Sequence, residues 1–271
     1  MEMRRLTPDE LDDCVRLAKS REWLPERRKW ALLFEAGEVY GLLLGGTLVS
    51  TTVLTRYGAG YGVISMVLTD PAHARQGLAR RLMEYVLEQA DGLVLSLTAT
   101  PNGRPLYERL GFETVGEVTS HVGVFAGEPS GVSRAATAAD LEPILALDRE
   151  LFEADRGVLL RRLPDLHDPL RVIERDGRVA AFGGVWDTGD QLVGGPVVTR
   201  DPEAAMALLA DLLAGTAKPV RLDLDTRQTE VCAWAEAHGV QPGFSTKLMV
   251  RGGALPGVRP SLVTSYNVAL G

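Results

Sequence analysis

Residues 66–89 read MVLTDPAHARQGLARRLMEYVLEQ: an apolar run, an Asp-Pro turn, a short stretch ending at Gly77, then apolar residues at helical spacing. This order predicts a strand ending near Leu68, a turn at Asp70-Pro71 and an amphipathic helix over residues 77–89. The amides of a helix's first turn lack intrahelical acceptors and together carry about half a positive charge. A glycine at that point lets the main chain approach an anion closely. Arg75, Arg80 and Arg81 add positive charge, and no acid lies between Pro71 and Met83. A loop of this kind suits a di- or triphosphate. The alternative is a helix start whose glycine serves packing and whose arginines sit on a solvated face.

Downstream, residues 93–97 are an apolar strand. Residues 98–116, TATPNGRPLYERLGFETVG, then predict a helix over 103–110 that carries Tyr107. Gly111 fits a left-handed C-cap, and Phe112 leads into a strand over 113–118. A tyrosine of ordinary pKa near 10 is protonated at neutral pH and can give a proton to a leaving thiolate; a packing role is the alternative. Upstream, a short strand over 3–6 runs into Thr7-Pro8-Asp9-Glu10, a helix start with a capping hydroxyl, a first-turn proline and early acids. Strands over 39–44 and 47–55 flank the hairpin turn Gly45-Gly46, and a strand over 62–68 follows a glycine-rich turn at 57–60.

These two segments, in this order and with a strand between them, resemble the GNAT (GCN5-related N-acetyltransferase) superfamily over most of residues 3–118. The family's acetyl-CoA loop, [Q/R]-x-x-G-x-[G/A], falls on Ala74-Arg75-Gln76-Gly77-Leu78-Ala79, with Ala74 in place of the usual Gln or Arg. Its second signature, ending in Tyr-x-x-x-Gly-Phe, falls on Tyr107, Gly111 and Phe112, with Thr100 where Asn is common. The resemblance implies that residues 65–68 splay from the 93–97 strand and lend main-chain groups to the pantetheine arm. It implies acetyl-CoA as co-substrate, held by Met66, Val67, Leu68, Arg75, Gln76, Gly77, Leu78, Ala79, Arg80, Thr100, Gly103 and Tyr107. Tyr107 would be the catalytic acid. No carboxylate lies in residues 62–68 to serve as base, which leaves Asp70, His73, a water relay or an already neutral amine open. In the superfamily, acceptor choice depends on the region equivalent to residues 21–34.

The second half repeats the first. FAGEPSGV at 125–132 reads as a linker. SRAATAADLEPILAL then follows MRRLTPDELDDCVRL in sense, with Thr137 and Leu141 at the spacing of Thr7 and Leu11. Strands over 171–174 and 179–186 flank Asp176-Gly177. A strand over 193–199 meets Asp201-Pro202, which lies 131 residues after Asp70-Pro71. A strand over 220–224, a helix over 229–237 and Gly239 complete the order. The expected fold is α/β (α+β), with two tandem GNAT-like domains, each a mixed, largely antiparallel sheet flanked by helices. The boundaries are 1–125 for the acetyltransferase domain, 126–131 for the linker and 132–271 for a degenerate copy. The tandem arrangement, the segment TPNGRPLYERLGF (residues 100–112) and the closing run RPSLVTSYNVALG (residues 259–271) resemble tandem GNAT proteins with a YitH-type C-terminal domain. The second half has no insertion before its helix, Asp201 and Glu203 stand where the anion would sit, and the tyrosine position holds Trp234 or Ala235. A second cofactor site is therefore not expected. Asp223 and Asp225 share one strand face, either to recognise a cationic amine or as a solvated strand end. Trp23, Trp30 and Trp186 either line an acceptor pocket or pack.

The 271 residues are 45% hydrophobic and 24% charged, with a net charge of −7. That balance argues against a general nucleic-acid binder. No apolar run approaches a membrane span and no signal peptide opens the chain, so neither membrane nor nucleic acid is an expected partner and a cytoplasmic location is expected. Cys14 and Cys232 form no metal-ligand or disulfide pattern, and no metal is expected. The expected activity is N-acetyl transfer to an amine of a small molecule or protein, with a homodimer possible. The alternative is a non-catalytic acyl-CoA-binding sensor, motivated by Ala74, Thr100 and the missing base.

Overall fold

The computed structural model describes residues 1–257 and 262–265. Of the closing run 259–271, the residues other than 262–265 lie outside those described. The chain clusters into two compact units that interleave along the sequence. The first takes residues 1–97, 103–113 and 250–255; the second takes 98–102, 114–249 and the described residues from 256 onward.

In the first unit β1 (Glu2–Arg5), β2 (Glu38–Leu44), β3 (Thr47–Tyr57) and β4 (Tyr61–Thr69) form an antiparallel series, and β5 (Val94–Ala99) joins β4 in parallel. Helix α1 (Leu11–Ser20) buries Cys14, Leu17 and Ala18, and α3 (Leu78–Gln89) buries Leu78, Leu82, Met83 and Val86. Both are single apolar stripes at helical spacing, each large side chain worth roughly 1.5–3 kcal/mol on burial. Residues 27–36 form a further helix, α2 (Arg27–Ala36), which buries Trp30, Leu32 and Leu33 and which the sequence reading did not assign. Its amino end lacks a side-chain cap, so the usual start signal is missing. A short helix α4 (Arg104–Arg109) follows β5.

The second unit repeats this order after β6 (Glu113–Gly123): β7 (Arg134–Ala135), α5 (Leu141–Phe152), α6 (Gly157–Leu160), α7 (Leu163–Leu166), β8 (Leu170–Arg175), β9 (Arg178–Asp187), β10 (Leu192–Thr199), α8 (Pro202–Leu213), β11 (Val220–Asp225) and α9 (Thr229–Ala237). Two further strands, β12 (Gln241–Arg251) and β13 (Leu262–Thr264), close it. The strands lie in the order β12-β6-β11-β13-β10-β9-β8-β7, with β10 and β11 parallel where they meet. Each unit is thus a mixed, largely antiparallel sheet flanked by helices. The second core gathers α8 leucines (Leu208, Leu209, Leu212, Leu213) against Val197, Leu222, Leu224 and Val231.

The repeat extends to side-chain contacts. Glu10 accepts from the Thr7 amide at 2.8 Å and from Arg4 Nη2 at 2.6 Å. Asp140 accepts from the Thr137 amide at 2.7 Å and from Arg134 Nη2 at 2.7 Å. Both carboxylates tie a helix start to the preceding strand. Strong hydrogen bonds from Arg134 and Thr137 hold the Asp140 carboxyl far below the usual carboxylate range. Cys14 and Cys232 are free thiols; burial pushes Cys14 up to about 12.

Candidate active site

The site in the first unit begins with a fork. Strands β4 and β5 pair only through Tyr61–Val94, Gly62–Leu95 and Val63–Ser96, although β4 runs on to Thr69 and β5 to Ala99. Beyond Val63 the two strands make no ladder with each other. On its other side β4 slips in register against β3 between the Val53–Ser65 and Thr51–Leu68 pairs, and Met66 takes a left-handed backbone, φ +48°. Such a backbone is uncommon outside glycine and turns the peptide out of the strand's regular plane. Two β3 hydroxyls hold the irregular stretch. Thr51 Oγ1 donates to Met66 O at 2.9 Å and Ser50 Oγ to Leu68 O at 2.6 Å, both buried. Nothing in a single-strand reading of Ser50-Thr51-Thr52 signals this beyond an unusual run of buried hydroxyl residues. Thr51→Val removes the donor and leaves Met66 O unsatisfied, at a cost of about 1 kcal/mol or more. We expect denaturation of this variant to show that loss, with the rest of the first unit's sheet intact.

The second part is the turn into α3. Asp70 accepts from the Ala72 amide at 2.9 Å and caps the 3-10 turn Pro71–His73, so its carboxylate is engaged there. Arg75 then adopts φ +62° and Gly77 φ +76°. Gly77 is the N-cap of α3, with no heavy atom within 4 Å of where a Cβ would stand. The helix's own ladder includes the Arg81 amide on Gly77 O at 3.0 Å, so the amides of its first turn find no acceptor within the helix. No acid occurs in that turn. Arg75, Gln76 and Gly77 are exposed, Leu78 is buried as the anchor, and Ala79 is half-buried. Arg80 is exposed and paired with Glu84 at 2.8 Å; Arg75 forms no ion pair among the described residues. Open space, free amides and uncompensated positive charge meet the requirements of a diphosphate.

The third part is Tyr107 on α4. It is only 8% exposed, stands edge-on to Phe112 at 6.2 Å, and its hydroxyl has no hydrogen bond among the described residues. Burial pushes its pKa up to about 12. Gly111, at φ +83°, ends the helix, and the Phe112 amide donates to Tyr107 O at 3.0 Å. In the second unit the Val240 amide donates to Ala235 O at 3.0 Å beside Gly239. That shared closure sets the register: Ala235, not Trp234, stands where the first unit has its tyrosine.

Met66, Val67 and Leu68 lie on β4 past the fork, Arg75 to Arg80 at the start of α3, and Gly103 and Tyr107 at and within α4, all in the first compact unit. Thr100 follows β5, is half-buried and clusters with the second unit. Asp223 is neither a solvated strand end nor free: it is 5% exposed and accepts from Ser120 Oγ at 2.5 Å and Arg221 Nε at 2.8 Å. Asp225 is held by Arg227. Trp30 and Trp186 are buried, whereas Trp23 is 41% exposed. At the start of α8, Asp201 accepts from the Glu203 amide at 2.9 Å, so the chain's own carboxylate caps that helix directly, whereas in the first unit the matching Asp70 caps the 3-10 turn and α3 starts later at Gly77. Among the described residues no group of three His, Cys, Asp or Glu side chains is placed to hold a metal ion.

Two models of the acetyltransferase (GNAT) domain match the chain, one over residues 31–126 and one over residues 144–262. Over 239 residues the chain is 26% identical to the uncharacterized N-acetyltransferase YitH of Bacillus subtilis (strain 168), covering 85% of this chain and 84% of that protein. Among solved structures, a protein of Pyrococcus horikoshii superposes with a TM-score of 0.79 at 18% identity, covering 100% of this chain and 95% of the other. A tandem GNAT protein from the clavulanic acid biosynthesis pathway superposes at 0.67 with 14% identity, covering 93% of this chain and 99% of the other. Those two likenesses concern the fold. With a GNAT model on each half, the chain belongs to the GNAT acetyltransferase family as a tandem GNAT protein with a YitH-type second domain.

Proposed function

We propose that the first half transfers an acetyl group from acetyl-CoA directly to an amine of a small molecule or an exposed protein side chain. The observation that carries this reading is the fork beyond Val63–Ser96 together with an α3 start whose amides and left-handed Arg75 and Gly77 face open space. The β4 main chain past Val63 would take the extended pantetheine arm, and the amides of residues 77–80 with Arg75 would hold the diphosphate. Ala74 costs a side-chain contact, while the main-chain donors, which supply most of the grip on a phosphate, are intact.

The acceptor nitrogen, once neutral, forms the new C–N bond, and the C–S bond then breaks to release the thiolate. Tyr107 supports that second event. With a pKa near 12 it stays protonated, yet it is a weaker acid than an ordinary thiol at about 8.5, so full proton transfer runs uphill. Its hydroxyl therefore acts as a hydrogen-bond donor to the departing sulfur, and the net proton comes from the acceptor nitrogen. The pH profile follows with its sign. The rate should climb as the acceptor ammonium loses its proton and show no fall up to about pH 11, because Tyr107 is still largely protonated there. A decline centred near pH 10 that vanishes in Tyr107→Phe would show an unshifted tyrosine and remove this account.

The direct test is thiol release from acetyl-CoA across a panel of amines, beside calorimetric binding of acetyl-CoA, ATP and NAD. Selective acetyl-CoA binding with amine-dependent thiol release is expected. Tight binding without turnover on any amine would favour the sensor reading, and preference for ATP or NAD would overturn both. No helix among the described residues is long and apolar enough to cross a membrane.

A further inference from the structure

The second unit opens the same fork as the first and then fills it. Its parallel strands β10 and β11 pair only at Leu192–Val220 and Val193–Arg221. Beyond that point β13 enters between them, antiparallel to both: Thr264 lies opposite Val197 on one side and Leu224 on the other, and Leu262 opposite Val198. The corresponding stretch in the first unit is the part of β4 and β5 past Val63–Ser96. Gln228 Nε2 donates to Leu262 O at 3.0 Å, and Val263 is 2% exposed within the core cluster around Leu208, Leu222 and Leu224. Gly195 marks how closely the segment passes, since a Cβ there would collide with Ser265 O.

We infer that the fork of the second half is a binding site for an extended peptide main chain, and that the chain's own segment Leu262–Thr264 is its resident occupant. The inference rests, for the comparison of the two forks, on reading the first as the slot for the pantetheine arm. That arm and a peptide share what a splayed pair of strands selects, an extended chain of amide groups that pairs along both edges. Main-chain bonding supplies the hold, while the side chain of Val263 enters the core and gives the site its preference. The second half thereby gives up a cofactor slot for an internal strand that joins its two diverging edges.

Two measurements on the full chain decide the matter. Titration of the unaltered protein with acetyl-CoA should reach one equivalent; two equivalents would overturn the inference. In Val263→Asp, a charge in the core should drive the segment out. Hydrogen exchange at residues 197–198 and 222–224 should then quicken about tenfold or more, with acetyl-CoA affinity unchanged. A synthetic peptide of residues 259–267, RPSLVTSYN, should bind this variant one to one and restore protection, while failing to bind the unaltered chain. In Gly195→Val the same exchange should quicken, and the peptide should not rescue it because the entry is blocked. Unchanged exchange in both variants, or equal peptide binding to altered and unaltered chains, would refute the occupant. Failure of the first-half reading has a different signature: zero equivalents of acetyl-CoA with the peptide result intact.

Discussion

Replacement of Tyr107 by phenylalanine is expected to lower kcat by about 10²- to 10³-fold, the loss of one donor to developing negative charge, while leaving the KM for acetyl-CoA within about twofold. The hydroxyl has no hydrogen bond among the described residues, so its removal orphans no neighbour. The ring keeps its edge contact with Phe112, and the main-chain bond from the Phe112 amide to Tyr107 O is untouched. Since the hydroxyl holds no neighbour in place, the variant should melt within a degree or two of the unaltered protein. That combination, lost turnover with unchanged stability, separates a group used in the reaction from one used in packing. Turnover equal to the unaltered protein would take Tyr107 out of the chemistry.

The parts of this site that depend on local chain chemistry are legible in the sequence, and those that depend on distant pairing are not. Asp70-Pro71, the acid-free stretch to Met83 and the apolar stripe of α3 are local, and the cap, the open loop and the helix follow from them. The Tyr107–Gly111–Phe112 closure is equally local and recurs around Ala235 and Gly239. The point at which β4 and β5 stop pairing is set by a register between segments over thirty residues apart. The left-handed Met66 is held by hydroxyls from β3, and β13 reaches between β10 and β11 from the far end of the chain. Alternation placed Asp223 and Asp225 on one face, but what covers that face comes from Ser120 on β6 and from Arg221. Periodicity reports which way a side chain points and is silent about what it meets.

The same distinction frames the effect expected at Gly77. A Cβ there meets no atom within 4 Å, so crowding at that carbon does not oppose the change, but the backbone does: φ +76° costs a residue with a Cβ about 1–2 kcal/mol. Stability should fall by about that amount. Affinity for acetyl-CoA should fall further, by about 100-fold, because the side chain projects into the space a diphosphate needs and the first-turn amides lose charge-assisted bonds worth about 1.5–3 kcal/mol each. Gly92 supplies the control. It has φ +79° and the same open surroundings, but it lies past the other end of α3, a helix of twelve residues and about 18 Å. Gly92→Val should therefore lose a similar amount of stability with acetyl-CoA affinity unchanged. Paired denaturation and calorimetric titration of the two variants give the answer. Equal affinity losses would trace the effect to a loosened α3, whereas a loss confined to Gly77→Val would tie it to the anion's seat.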